Sequence, residues 1–158
     1  DGSRAVEIGI FYRGRLESEP DGYIFHELLT QTSDSASSTA LTPSQIKSLN
    51  RVLDLAGFNQ YSYPMELSGY AADFFLRTAQ VKVLNGRSLL KVDGEFRADM
   101  NPDSYYVSYF VDADNRGRKI YEIFMLGKDK ESYLLTLPLF KDLMESIQWQ
   151  TMDKQTLS

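Results

Sequence analysis

The sequence predicts a single α+β domain, an α/β/α sandwich on a mostly antiparallel sheet. Three observations point to it. Residues 74–137 form a run of strand-like segments broken by turn signals, with no helical period inside it. Thr42-Pro43-Ser44-Gln45 is a helix start, and the segment after Pro138 is amphipathic. At 158 residues the chain has the size of one domain and is long enough to bury a core without cross-links. A hydrophobic content of 42%, with ten Tyr and nine Phe, favours packed strands over disorder.

Residues 4–12 alternate, with Val6, Ile8, Ile10 and Tyr12 on one side and Glu7, Gly9 and Phe11 on the other, before the polar stretch RGRLESEPDG. This pattern predicts a strand entering an N-terminal hairpin. Asp21-Gly22 supplies the turn chemistry, and residues 23–29, which include His26, form the returning strand. Residues 4–12 are also the natural sheet edge for strand addition. The Ser/Thr-rich residues 31–41 have little to bury and are expected to be a mobile loop. Thr42 caps the helix of residues 42–56, Pro43 fits its first position and Gln45 completes a capping box. Ile46, Leu49, Val52, Leu53 and Ala56 share one face of that helix, and Gly57 ends it.

Asn85-Gly86 is the preferred two-residue hairpin turn and sets a register. Val81 then faces Leu90, Ala79 faces Val92 and Phe75 faces Phe96 on an apolar side, while Gln80 with Lys91 and Thr78 with Asp93 form a polar side. After the ADMNPD loop, strands at residues 105–111 and 119–126 flank the DADNRG turn, and a last strand is expected at residues 132–137. Both faces of the Tyr-rich strands are apolar, which marks them as covered, central strands. Pro138 opens a C-terminal helix at about residues 138–149 with Phe140, Leu143, Met144 and Ile147 on one face, and residues 151–158 are a frayed tail.

A net charge of -5 argues against nucleic acid and anionic membrane surfaces, which need a basic face. The absence of Cys removes disulfides, thiol nucleophiles and thiolate metal sites. No apolar run reaches the 18 or so residues of a transmembrane helix. His26 is the only His, no G-x-S-x-G elbow occurs, and GRSLLKVDGE lacks the spacing of a phosphate loop. Asp112-x-Asp114-Asn115-x-Gly117 opens like a calcium loop, but Arg116 and Ile123 stand where oxygen ligands belong. The plain reading is a hairpin turn, and Asp99, Asn101 and Asp103 read as a solvated loop. Glu66, Asp73, Asp93 and Glu95 leave a two-carboxylate hydrolase conceivable without any spacing that supports it. No cofactor or metal is therefore expected.

A surface is the better candidate. Tyr61, Tyr63, Pro64, Met65 and Tyr70 crowd the 58–70 connection, and Lys82, Asn85 and Lys91 stand on the polar side and turn of the hairpin. Aromatics and Met bury large area at low entropic cost where proteins meet. The alternative is that these aromatics simply cover the sheet.

The order of elements, with YYVSYFVDADNRGRKIYEIFML followed by a helix ending LPLFKDLMESIQW, resembles the PsbP-like family over roughly residues 23–149. The Pro-x-x-Trp element that usually follows that family's first strand has no counterpart here. The resemblance implies the α/β/α sandwich and a non-catalytic accessory or binding module, because members mostly serve larger assemblies. The expectation is a non-enzymatic interaction module with a protein partner, in the periplasm or another exported compartment, with a cytoplasmic setting as the alternative. A small-molecule or lipid carrier with an apolar pocket is the second reading, and a carboxylate-based hydrolase the third.

Overall fold

The computed structural model describes residues 5–14, 27–29, 39–45, 72–98, 101–116 and 118–149. Its centre is a six-stranded antiparallel sheet of β1 (Val6–Gly14), β2 (Thr39–Ala40), β3 (Ala72–Leu84), β4 (Arg87–Ala98), β5 (Asn101–Asp112) and β6 (Ile120–Gly127). The spatial order is β1-β6-β5-β4-β3-β2. One helix, α1 (Lys130–Ser146), crosses one face of it. The fold is α+β, with an internal helix starting at residues 43–45 and a helix near the C-terminus.

The consecutive strands β3 to β6 form a meander because each meets its complement in the next. Asn85 and Gly86 both take positive φ (49° and 79°), the geometry of a tight hairpin turn. Val81 faces Leu90, Ala79 faces Val92, Gln80 faces Lys91 and Thr78 faces Asp93, as the alternation requires. Beyond Thr78 the register departs from expectation. A bulge between Leu76 and Thr78 moves Phe74, not Phe75, opposite Phe96, and sets Phe75 opposite Glu95. At the next turn the strands run further than expected, since Ala98 already pairs with Asn101 inside the ADMNPD stretch. Pro102 is tolerated there because it lies beyond the last β5 residue paired with β6 and beside a register shift.

The N-terminal hairpin is corrected. β1 pairs with β6, with Ile8 opposite Met125 and Ile10 opposite Ile123, and residues 27–29 are helical. The rest of the expected returning strand, His26 included, lies outside the described residues. A local turn signal at Asp21-Gly22 carries no information about a partner more than a hundred residues away, and the apolar alternation of β1 matches β6. The end of the 31–41 segment is also corrected: Thr39 and Ala40 pair with Val81 and Gln80, and Leu41 N–H donates to Ala79 O at 3.1 Å. The capping box follows directly, with Gln45 N–H donating to Thr42 Oγ1 and Thr42 N–H to Gln45 Oε1. Positions 46–56 lie outside the described residues.

The strand expected at residues 132–137 is instead the first half of α1, which begins eight residues before Pro138 at Lys130. Asp129 caps it, its carboxylate accepting from Ser132 N–H at 2.7 Å. Pro138 therefore sits inside the helix. Its ring is exposed, so the hydrogen bond that proline cannot donate falls on the solvent side of the helix. Tyr133, Phe140 and Met144 are the buried stripe, packing on Leu89, Val107, Tyr109 and Met125. Leu143, expected within that stripe, is exposed. Gly127 is required where α1 begins, since a Cβ there would stand 2.6 Å from Tyr133 Cβ. The opposite face of the sheet is buried as well, through Leu90, Val92, Tyr106, Phe110 and Phe124. Burial on both faces makes β5 and β6 the covered centre anticipated from their composition.

Candidate functional site

The structure divides the expected interaction residues. Tyr61, Tyr63, Pro64, Met65 and Tyr70 lie outside the described residues. Asn85 is occupied: its Nδ2 donates to Glu145 O at 2.8 Å and Ile147 O at 2.6 Å, so the hairpin turn holds the last carbonyls of α1. Trp149 seals the same corner, with Nε1 donating to Leu84 O at 2.9 Å and the Arg87 guanidinium 5.8 Å from its ring centroid. Lys82 and Lys91 stand half-buried on the polar side of the hairpin, on the sheet face that α1 crosses. Partial burial lowers the Lys82 pKa, and the charges of Lys91 and Lys141 push it the same way. Lys91 approaches Asp93 at 3.8 Å, and Asp93 also accepts from Thr78 Oγ1 at 3.0 Å. Arg77, at the bulge, binds the buried Glu95 at 2.7 Å.

The bonds from Asn85, in the β3–β4 turn, to Glu145 O and Ile147 O bring the end of α1 against that hairpin. At 100° per residue, Leu139 and Leu143 fall outside the buried stripe of Tyr133, Phe140 and Met144, on the side away from Lys141 and Glu145. Several large apolar side chains are exposed. Ile10 is 71% exposed, Tyr12 54% and Leu139 67%, and Ile8, Tyr121 and Leu143 are exposed as well. Tyr12 and Tyr121 pack with ring centroids 5.1 Å apart and planes tilted by 47°. Ile8, Ile10 and Tyr12 project from one side of β1, and among the described residues no strand lies beyond β1.

Sequence reasoning identified β1 as an edge and missed the helical half of this surface. The available signal was an excess of leucines. Leu134, Leu135, Leu139 and Leu143 are more apolar side chains than one buried stripe uses, and all four are exposed.

A second cluster is buried on the opposite face. Glu122, Tyr106 and Ser108 are fully buried, and the Tyr106 hydroxyl donates to Glu122 Oε1. Such a bond offsets part of the cost of burying the two polar groups. Ser108 Oγ has no hydrogen-bond partner among the described residues. In the DADNRG turn, Asp114 accepts from Arg116 N–H, Arg118 N–H and Arg118 Nε. Burial works against ionisation there, but hydrogen bonds from Asp112, Arg116 and Arg118 outweigh it and hold the Asp114 carboxyl down to about 2. Asn115 takes positive φ (54°), as a turn residue does. Among the described residues no three His, Cys, Asp or Glu side chains converge as a metal site. An open depression of about 480 Å³ lies at the start of α1, lined by Lys130, Glu131, Leu134 and Leu135.

Comparison of the chain with protein-family models, with curated proteins and with solved structures returned no match.

Proposed function

We propose that this chain is a non-enzymatic protein-interaction module that docks through the β1 edge and the adjoining flank of α1. The carrying observation is the exposed apolar row of Ile8, Ile10 and Tyr12 on a strand whose outer edge meets no other described strand, with Leu139 and Leu143 also exposed on α1. Exposed apolar side chains that are contiguous, rather than scattered, mark contact surfaces. The edge adds backbone donors and acceptors that an extended partner can use. The PsbP-like resemblance supports the same class of function and is the basis for an exported setting.

The test is native affinity capture with the unaltered chain and with a variant carrying Ile10→Asp and Leu139→Asp. Both positions are exposed, so circular dichroism should remain unchanged. The expected result is that association present in the unaltered chain is lost in the variant. Association that persists undiminished would defeat the reading, as would substrate turnover by the isolated chain. A carrier of small apolar molecules is the second reading, and the depression beside Leu134 and Leu135 is the observation that favours it.

A further inference from the structure

We propose that Lys82, Lys91 and Lys141 form a binding site for a phosphate group, free or carried by a small monoester, in the corner between the β3–β4 hairpin and α1. The site is separate from the β1 edge, and neither reading depends on the other.

The ladder brings two of the amines together. Lys82 stands opposite Leu89, while Lys91 stands opposite Gln80 on one side and Tyr109 on the other. Leu89 and Lys91 are two apart on β4 and share a face, so Lys82 and Lys91 are diagonal neighbours on it, within reach of one another for side chains of that length. The helix brings the third. Tyr109 packs on Phe140 with ring centroids 5.9 Å apart, and Lys141 follows Phe140 in the chain. The bonds from Asn85 Nδ2 to Glu145 O and Ile147 O hold the next turn of α1 against the hairpin turn, three residues beyond Lys82. At 100° per residue Lys141 lies on the flank of the buried stripe, one helical turn before Glu145. Leu89, Tyr109 and Phe140 belong to the core, so the lysine stems run over apolar surface and their ammonium groups gather at its rim.

The charges in this corner do not balance. Lys91 is 3.8 Å from Asp93 and Lys141 is 3.9 Å from Glu145, both long for ion pairs. The Lys82 ammonium makes no ion pair or hydrogen bond with a described residue, in a chain whose net charge is -5. Burial and the like charges of Lys91 and Lys141 disfavour its ammonium form more than Asp93 and Glu145 favour it. A half-buried cation without a close counter-ion is costly to keep, and an anion seated among the amines offsets that cost. The arrangement suits phosphate. The amines converge from two strands and a helix, not from one plane. A tetrahedral phosphate dianion presents oxygens in each of these directions, whereas a carboxylate presents two in one plane. Lysine ammonium groups, compact and rotatable, meet such a ligand as point charges and need no glycine-rich loop.

The experiment is an NMR titration of the lysine side-chain Cε signals of the full chain with inorganic phosphate and, separately, with glycerol 3-phosphate, at an ionic strength held constant with sodium chloride. Lys82, Lys91 and Lys141 should shift together along one saturable curve, while Lys130, at the other end of α1, should not. Lys82→Met keeps the apolar stem and removes the charge. It should weaken binding, read on Lys91 and Lys141, by about tenfold or more with circular dichroism unchanged. Lys141→Gln, at an exposed position, should weaken it by about threefold, and Lys130→Gln should leave it unchanged. Saturation with inorganic phosphate, with or without the monoester, assigns the site to the free ion, and saturation with the monoester alone assigns it to an esterified phosphate. No shift, shifts that are linear and alike at every lysine, or an affinity indifferent to Lys82→Met overturn the proposal. Should Lys82→Met disturb the fold, an affinity indifferent to Lys141→Gln overturns it instead. None of these outcomes bears on association through the β1 edge.

Discussion

Burying a polar side chain beneath a sheet has opposite consequences for Tyr106 and Ser108. The Tyr106 hydroxyl donates to the carboxylate of Glu122, and both groups are fully buried. Removing that donor by Tyr106→Phe should cost about 1 kcal/mol or more, since a buried hydrogen bond is lost without relieving the burial of Glu122. Ser108→Ala removes a buried hydroxyl with no partner among the described residues and should leave stability within about 1 kcal/mol, toward stabilisation. Chemical denaturation of the two variants measures both effects, and equal losses would contradict the assignment. Neither role was legible in the sequence. Tyr106 and Ser108 sit in an alternating strand, where the period shows which residues share a face but not which hydroxyl meets a carboxylate on the neighbouring strand. Asn85 shows the same limit. Its turn conformation was readable from Asn-Gly, whereas its bonds to Glu145 O and Ile147 O join positions sixty residues apart.

For elements, local chemistry was a good guide to starts and turns and a poor one to length. The capping box at Thr42 and the turn at Asn85-Gly86 formed as written, because each needs only four neighbouring residues. At α1 two local signals competed. Pro138 suits a first helical position, yet Asp129 offers a cap nine residues earlier, and the sheet needed Tyr133 as well as Phe140 and Met144 to cover it. Tertiary burial decided in favour of the longer helix. The Asp129 cap predicts a measurable pH dependence. Backbone hydrogen bonding from Ser132 lowers the Asp129 pKa below its ordinary value. A lowered folded-state pKa means that the cap's contribution is complete above about pH 5 and fades as pH falls through the folded value. Asp129→Asn keeps an acceptor for Ser132 N–H and loses the charge. The thermal midpoint of that variant should converge on that of the unaltered chain in acid and fall below it at neutral pH. A constant difference across the range would contradict the assignment.

At the scale of the molecule, alternation and turn type gave the central meander but not what closes it. β1 reaches β6 across more than a hundred residues, and such a pairing rests on surface complementarity that no local pattern reports. The closure produces the functional consequence. With β6 occupied by β5 on one side and β1 on the other, β1 is the last of the described strands, and its row of Ile8, Ile10 and Tyr12 is left exposed. The central claim is that the outer edge of β1 is a pairing edge, and amide hydrogen exchange resolved by residue tests it most directly. Because Lys128 N–H donates to Ala5 O and hydrogen-bonded pairs alternate along the β1–β6 ladder, Glu7, Gly9 and Phe11 direct their N–H groups to β6, while Ile8, Ile10 and Tyr12 direct theirs outward. In the captured complex the outward amides should be protected alongside the inward ones, and in the chain released from it they alone should lose that protection. Free exchange at Ile8, Ile10 and Tyr12 within the complex, with Glu7, Gly9 and Phe11 protected throughout, would contradict it.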